Sequence, residues 1–245
     1  MKKVKNVMMI LGLSLSVVAC SDDDDNSIVE QDLGRMSIEA TATYSPTGAK
    51  NTTNSAAWVE LSRFAVNFEE IELEYGQAVD DDNFYGSDNE IKLRGPFELE
   101  LLLPVHVPIA EFRVPNGRVD EIEFKFDKNA NTDSDLYGKS VHMEGMIDGV
   151  DFVFWHDFEE DIELDFDPNN SNAIIAGDMN WVLINFDLTS LIHATPEVDL
   201  STAVDGNGDG IIEINPQDPD GNRELAESIK QALKNRIELI EELEI

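Results

Sequence analysis

Between Gly34 and about Leu200 the apolar residues alternate with polar ones. In FEEIELEY, residues 68–75, Ile71, Leu73 and Tyr75 share one side of an extended chain, and Glu70, Glu72 and Glu74 share the other. VDEIEFKF, residues 119–126, sets Ile122, Phe124 and Phe126 against Glu121, Glu123 and Lys125. EDIELDFD, residues 160–167, sets Ile162, Leu164 and Phe166 against Asp161, Glu163 and Asp165. A repeat of two marks a β-strand with one face buried and one wet. The same reading predicts strands over residues 36–43, 58–66, 91–103, 105–114, 139–147, 150–156 and 181–188, with antiparallel pairing.

Turn residues punctuate these runs. Asp148-Gly149, between VHMEGMI and VDFVFW, predicts a tight hairpin, because both residues tolerate positive φ. Pro104 and Pro108 fall in a run that otherwise reads as strand, which predicts an edge strand or a break there. Residues 80–89 and 128–137 read as long surface loops. At the end the period changes: Leu225, Ile229, Leu233, Ile237 and Ile240 recur at three- and four-residue spacing, which predicts one amphipathic helix over 223–245. Asn222 or Asp220 would cap it, and its apolar stripe would pack on the sheets. The expected fold is therefore mainly β, an antiparallel β-sandwich over 34–245 with one C-terminal amphipathic α-helix.

The first residues follow another logic. MKKVKN carries three lysines and no acid, and VMMILGLSLSVVA follows it, too short to span a bilayer as a helix. A cationic start, a short apolar stretch and a small residue before the break are the marks of a secretory signal, expected over 1–19. Val17-Val18-Ala19-Cys20 resembles the lipobox of bacterial lipoproteins, and the resemblance implies cleavage before Cys20 and acylation of that residue. Multiple acylation would be a stable anchor where one chain is marginal. Ser21-Asp22-Asp23-Asp24-Asp25-Asn26 looks like the acidic export tag of Bacteroidota surface lipoproteins, and the like charges suit a solvated tether over 20–33. The expected location is the outer membrane, lipid-anchored and facing the extracellular side.

Charge narrows the partners. The chain has 17 basic and 51 acidic side chains, a net −34, while its hydrophobic share of 42% is that of a globular protein. Nucleic acid is disfavoured as a partner, because phosphate recognition needs clustered Lys and Arg. Cations and basic partners suit the balance better. With the single cysteine acylated, no thiol remains for a disulfide or a Cys-ligated metal.

One loop carries metal chemistry. In VDGNGDGIIEINPQDPDGN, residues 204–222, Asp205, Asn207 and Asp209 stand at alternate positions, followed by Gly210. Oxygen side chains at that spacing, with the Ile211 carbonyl turned inward by the glycine, can wrap a hard cation such as calcium. The run resembles the first half of an EF-hand loop. Its second half departs from that pattern: Pro216 stands where the bidentate Glu belongs, so Glu213, Asp218 or Asp220 would supply the missing carboxylate. The expected role is structural, pinning the helix start against the last strand.

No two of the four histidines stand at a ligand spacing, and no nucleophile elbow, P-loop or dinucleotide fingerprint is present. In WHDFEED, His156 is expected to point outward within a solvated acidic rim. Of Trp58, Trp155 and Trp181, the sequence around Trp181 reads as core, and Trp155 is the better candidate for stacking on a sugar.

Taken together, AAWVELSRFAVNFEEIELEYG, VPNGRVDEIEFKF, GKSVHMEGMIDGVDFVFWHDFEEDIELDFD, WVLINFDL and the acidic loop before the helix resemble an uncharacterised family of Bacteroidota surface lipoproteins built on a β-sandwich-type domain of unknown function. The resemblance implies the fold and the address, and no catalytic residues. The expectation is a non-catalytic binding or accessory module, with a glycan or an outer-membrane protein as partner. A carboxylate-dependent glycan hydrolase and a structural protein of the cell surface are the alternatives.

Overall fold

Twelve strands and two helices are present among residues 33–46, 57–75, 90–115, 117–166, 173–174, 179–192 and 197–240, which the computed structural model describes. Strands β1 (Leu33–Thr43), β4 (Val107–Pro115), β10 (Met179–Asp187) and β12 (Ile237–Ile240) form one sheet in the order β12-β10-β1-β4. The second sheet runs β11-β7-β6-β2-β5-β8: β11 (Ile211–Ile214), β7 (Val150–His156), β6 (Val141–Ile147), β2 (Val59–Tyr75), β5 (Gly117–Phe126) and β8 (Glu160–Asp165). Strand β3 (Glu90–Glu100) pairs with β2, and the short β9 (Ala173–Ile174) with β5. The two sheets pack as a sandwich around one apolar cluster. Phe64 of β2 meets Phe186 of β10 edge to face, with ring centroids 5.4 Å apart. Phe68, Phe124, Phe126 and Phe158 continue the aromatic contacts.

Strand β2 organises the larger sheet. Its core-facing side chains step 59, 61, then 64, 66, 68, then 71, 73, 75. Each jump of three is a β-bulge, at Leu61/Arg63 and at Phe68/Glu70. A bulge inserts one residue, so it restores the apolar side chains to the inner face after the phase slips. A glycine faces each bulge. A Cβ on Gly145 of β6 would lie 2.0 Å from the Glu60 carbonyl oxygen, and one on Gly95 of β3 2.5 Å from that of Phe68. Along one edge of β2 the partner changes from β6 to β5. Asn67, 2% exposed, sits at this fork: its N–H donates to the Ser140 carbonyl and its side-chain amide to that of Asp127.

The remaining expectations meet mixed outcomes. The Asp148-Gly149 hairpin forms with φ of 53° and 87°. The proline run breaks into β3 and β4, and β4 is an edge strand. Pairing is not wholly antiparallel: β1 runs parallel to β10, and β11 parallel to β7. The predicted helix over 223–245 is corrected. Helix α2 spans Arg223–Lys234, with Asn235 as its C-cap, and residues 237–240 become β12, antiparallel to β10. In IELI the same residues also fit a period of two, and as a strand they pair the open edge of β10, whose backbone groups another helical turn would leave unpaired. Helix α2 buries Ala226, Ile229, Ala232 and Leu233, while α1 (Leu188–Ile192) buries Leu188, Leu191 and Ile192. Residues 1–32, the loop at 80–89, His193 and residues 241–245 lie outside the described residues.

Candidate functional site

The loop from Val204 to Asn222 contains β11, leads into α2 and is held together by its own side chains. Asp205 Oδ1 accepts the N–H groups of Gly208 (2.7 Å) and Asp209 (3.2 Å), and its Oδ2 accepts that of Gly210 (2.9 Å). Asn207 Oδ1 also accepts the Asp209 N–H (2.9 Å), which brings it beside Asp205 Oδ1. Asp209 Oδ1 accepts the Ile211 N–H at 3.0 Å. Asn207 Nδ2 donates to Glu213 Oε2 at 3.3 Å. Gly208 and Gly210 take positive φ, 77° and 94°, where an L side chain would be strained.

Of the sequence-predicted ligands, Asp205, Asn207, Asp209, Ile211 and Glu213 thus belong to one linked turn. Asp218 does not. Its Oδ1 accepts the Arg223 N–H at 2.8 Å and satisfies the first turn of α2. Asp220, 5% exposed, clasps the loop instead: Oδ1 accepts the Asn207 N–H (3.0 Å) and Oδ2 the Glu213 N–H (2.7 Å). Asn222, 4% exposed, accepts the Val204 N–H and donates to the carbonyls of Val204 and Glu213. The donor set of the turn is all oxygen, which is the chemistry of a hard cation. The carboxylates of Asp205, Asp209 and Glu213 are not drawn to within 4.8 Å of one another; among the described residues the acidic trio that comes that close is Glu121, Glu123 and Glu163.

That trio belongs to an ordered acidic face. Across β3-β2-β5-β8 the register aligns Glu90, Glu74, Glu121 and Asp165 in one row, then Lys92, Glu72, Glu123 and Glu163, then Arg94, Glu70, Lys125 and Asp161. Burial first, and then the surrounding carboxylates, push the Glu121 and Glu123 carboxyls above the usual range. Burial also raises Glu72, against the pull of the Lys92 ammonium 2.7 Å away. Alternation along single strands made these residues outward-facing in the sequence; only the register could reveal the rows.

His142 and His156 are structural in their contacts. His156 is 5% exposed and points inward, in phase with Phe152 and Phe154, so the outward expectation is corrected. Its ring packs against Phe158, and Nε2 lies 3.2 Å from Glu227 Oε1 of α2. His142, 4% exposed, has Nε2 2.6 Å from Glu144 Oε1. Burial lowers both imidazoles below their ordinary pKa, against the pull of the neighbouring carboxylates. Trp155 is half-buried and points outward from β7. Trp181, which the sequence assigns to the core, is half-buried too and lines an open cleft on the four-stranded sheet, while Val182, Ile184 and Phe186 take the core positions. Cys20, the expected lipidation site, lies outside the described residues. No helix among the described residues is long and apolar enough to cross a membrane.

Compared with known protein families, with curated proteins and with solved structures, the chain matches none of them.

Proposed function

We propose that this chain is a lipoprotein held by acylated Cys20 in the outer membrane, its β-sandwich facing outward as a non-catalytic binding or accessory module stiffened by calcium. The opening sequence supports the address. The observation that carries the module's chemistry is the 205–213 turn, where Asp205 and Asn207 oxygens share one N–H donor and Glu213 reaches Asn207. Asp205, Asn207, Asp209 and Glu213 side chains and the Ile211 carbonyl would hold the ion. Calcium there would draw the carboxylates of Asp205, Asp209 and Glu213 onto one ion and would fix β11 against the start of α2. A carboxylate hydrolase finds less support: the carboxyls with raised pKa stand on an outward sheet face, and the Trp181 cleft does not include them.

Thermal unfolding of the full chain tests the metal. An ion at one hundred times its Kd stabilises the folded state by about 2.7 kcal/mol. Calcium is expected to raise Tm over that in chelator, and Asp205→Ala with Asp209→Ala to abolish the rise. Equal Tm with calcium and with chelator refutes the site. Mass spectrometry of the native protein tests the anchor: a chain that retains Met1 and carries no acyl group refutes it.

A further inference from the structure

The outer face of the four-stranded sheet carries a different chemistry from the acidic face. Trp181 of β10, Ser37 of β1 and Glu111 of β4 lie in one cross-strand row. Met179, Pro108, Ile109 and Ala110 add apolar walls, and Glu39 stands one row on, bordering an open cleft of about 560 Å³. The cleft has a structural cause. The β1–β4 register slips between Ile38 and Glu39, which leaves Ile109 as an extra residue on edge strand β4. Such a bulge bends its strand and re-aims a side chain, a device frequent beside binding sites. The volume falls within the range of small-ligand clefts.

Both carboxylates of this cleft have a basic side chain beside them. Arg35 bonds Glu111, and His106 Nδ1 lies 3.5 Å from Glu39 Oε2. The rim therefore offers donors and acceptors together: a guanidinium, a hydroxyl and two carboxylates beside an indole face. A saccharide has the matching surface, an apolar C–H face for the indole and a ring of hydroxyls that both donate and accept. A net charge of −34 disfavours acidic sugars by long-range repulsion. We infer that this cleft binds a neutral oligosaccharide, with Trp181 as the stacking platform and Ser37, Glu39 and Glu111 as hydroxyl partners. The inference rests on the reading of the chain as a binding module and needs neither the calcium nor the lipid anchor.

The test is a fluorescence and calorimetric titration of the full chain with linear glucan, mannan and xylan hexasaccharides, with an oligogalacturonate as the acidic probe. At least one neutral probe is expected to bind, and the oligogalacturonate not. Trp181→Ala is expected to weaken binding by about tenfold or more, with Trp181→Phe restoring most of it and Trp155→Ala leaving it unchanged. Circular dichroism melts of each variant separate lost binding from lost folding, and Glu111→Gln, an isosteric change on the rim, is expected to weaken binding without lowering order. Binding that survives Trp181→Ala and disappears in Trp155→Ala overturns this cleft while leaving a binding module. Preference for the acidic probe, or no binding of any neutral probe by the wild-type chain, overturns the proposal, and the calcium and acylation tests then judge the rest separately.

Discussion

Glu121→Gln is expected to stabilise this protein, although it removes a charged residue from a solvent-facing strand. Glu121 stands directly between Glu74 of β2 and Asp165 of β8. Like charges directly opposite on neighbouring strands destabilise by an amount similar to the roughly 0.2–1 kcal/mol that favourable pairs contribute. Two such pairs amount to roughly 0.4–2 kcal/mol, and glutamine keeps the shape while removing both. In a domain of this size 1 kcal/mol moves Tm by about 2–4 °C, so the gain is about 1–8 °C at pH 7.5 in low salt. The pH sign follows from the raised carboxyl. An acid whose folded pKa exceeds its unfolded value holds its proton more tightly when folded. Its destabilisation is complete above the folded pKa and is relieved as pH falls towards the unfolded value of about 4.3. The gain should therefore disappear near pH 4. It should also shrink in 1 M NaCl, where the Debye length is about 3 Å. Paired thermal melts in chelator, at both pH values and both salt levels, measure it. A variant that melts no higher than wild type at pH 7.5, or whose gain is the same in 1 M NaCl, refutes the reasoning.

Burial of His142 and His156 gives the opposite slope. A base with a depressed folded pKa contributes full stability above its unfolded pKa of about 6.5 and loses it as pH falls towards the folded value. Urea unfolding between pH 7.5 and 5 should show this decline, and His156→Gln should flatten it by up to one proton's worth, about 1.4 kcal/mol per pH unit; an unchanged slope would count against the buried neutral imidazole. Asn222→Ala strands the Val204 N–H and the carbonyls of Val204 and Glu213. A loss of about 2–3 kcal/mol by urea unfolding is expected, with a weaker calcium response, and a loss below about 0.5 kcal/mol would remove Asn222 from its place as the loop's anchor.

The strands were legible wherever one residue type alternated with its opposite, as in β5 and β8. Strand β2 was read as two strands, over 58–66 and 68–75, and the slips of its alternation from Leu61 to Phe64 and from Phe68 to Ile71 fall inside those spans, where a strict period of two does not show them. The end of α2 was lost to a shared pattern. Ile237 and Ile240 extend the helical stripe, and Ile237 with Leu239 also fit a strand, so only the free edge of β10 decides. Parallel pairing of β1 with β10 and of β11 with β7 leaves no local trace, since it depends on which distant strands become neighbours. The loop at 205–213 was legible because its spacing is local. The Trp181 cleft was not, for the apolar neighbours of Trp181 conceal which side of β10 each one takes.

Register also decides what the acidity does. The rows across β3-β2-β5-β8 hold four acids, then three acids and a lysine, then two of each sign. Charge is thus graded along the strands, strongest at the end bearing Glu74 and balanced at the end bearing Glu70. On the four-stranded sheet, Glu39 and Glu111 of the Trp181 cleft instead have basic partners beside them. A cationic partner would be drawn to one end of the larger sheet, while an uncharged ligand would meet its least repulsive polar surface at Trp181. On this proposal the same excess of carboxylates would serve solubility and steering on one face, and the basic neighbours of Glu39 and Glu111 would leave the other suited to hydrogen bonding and stacking.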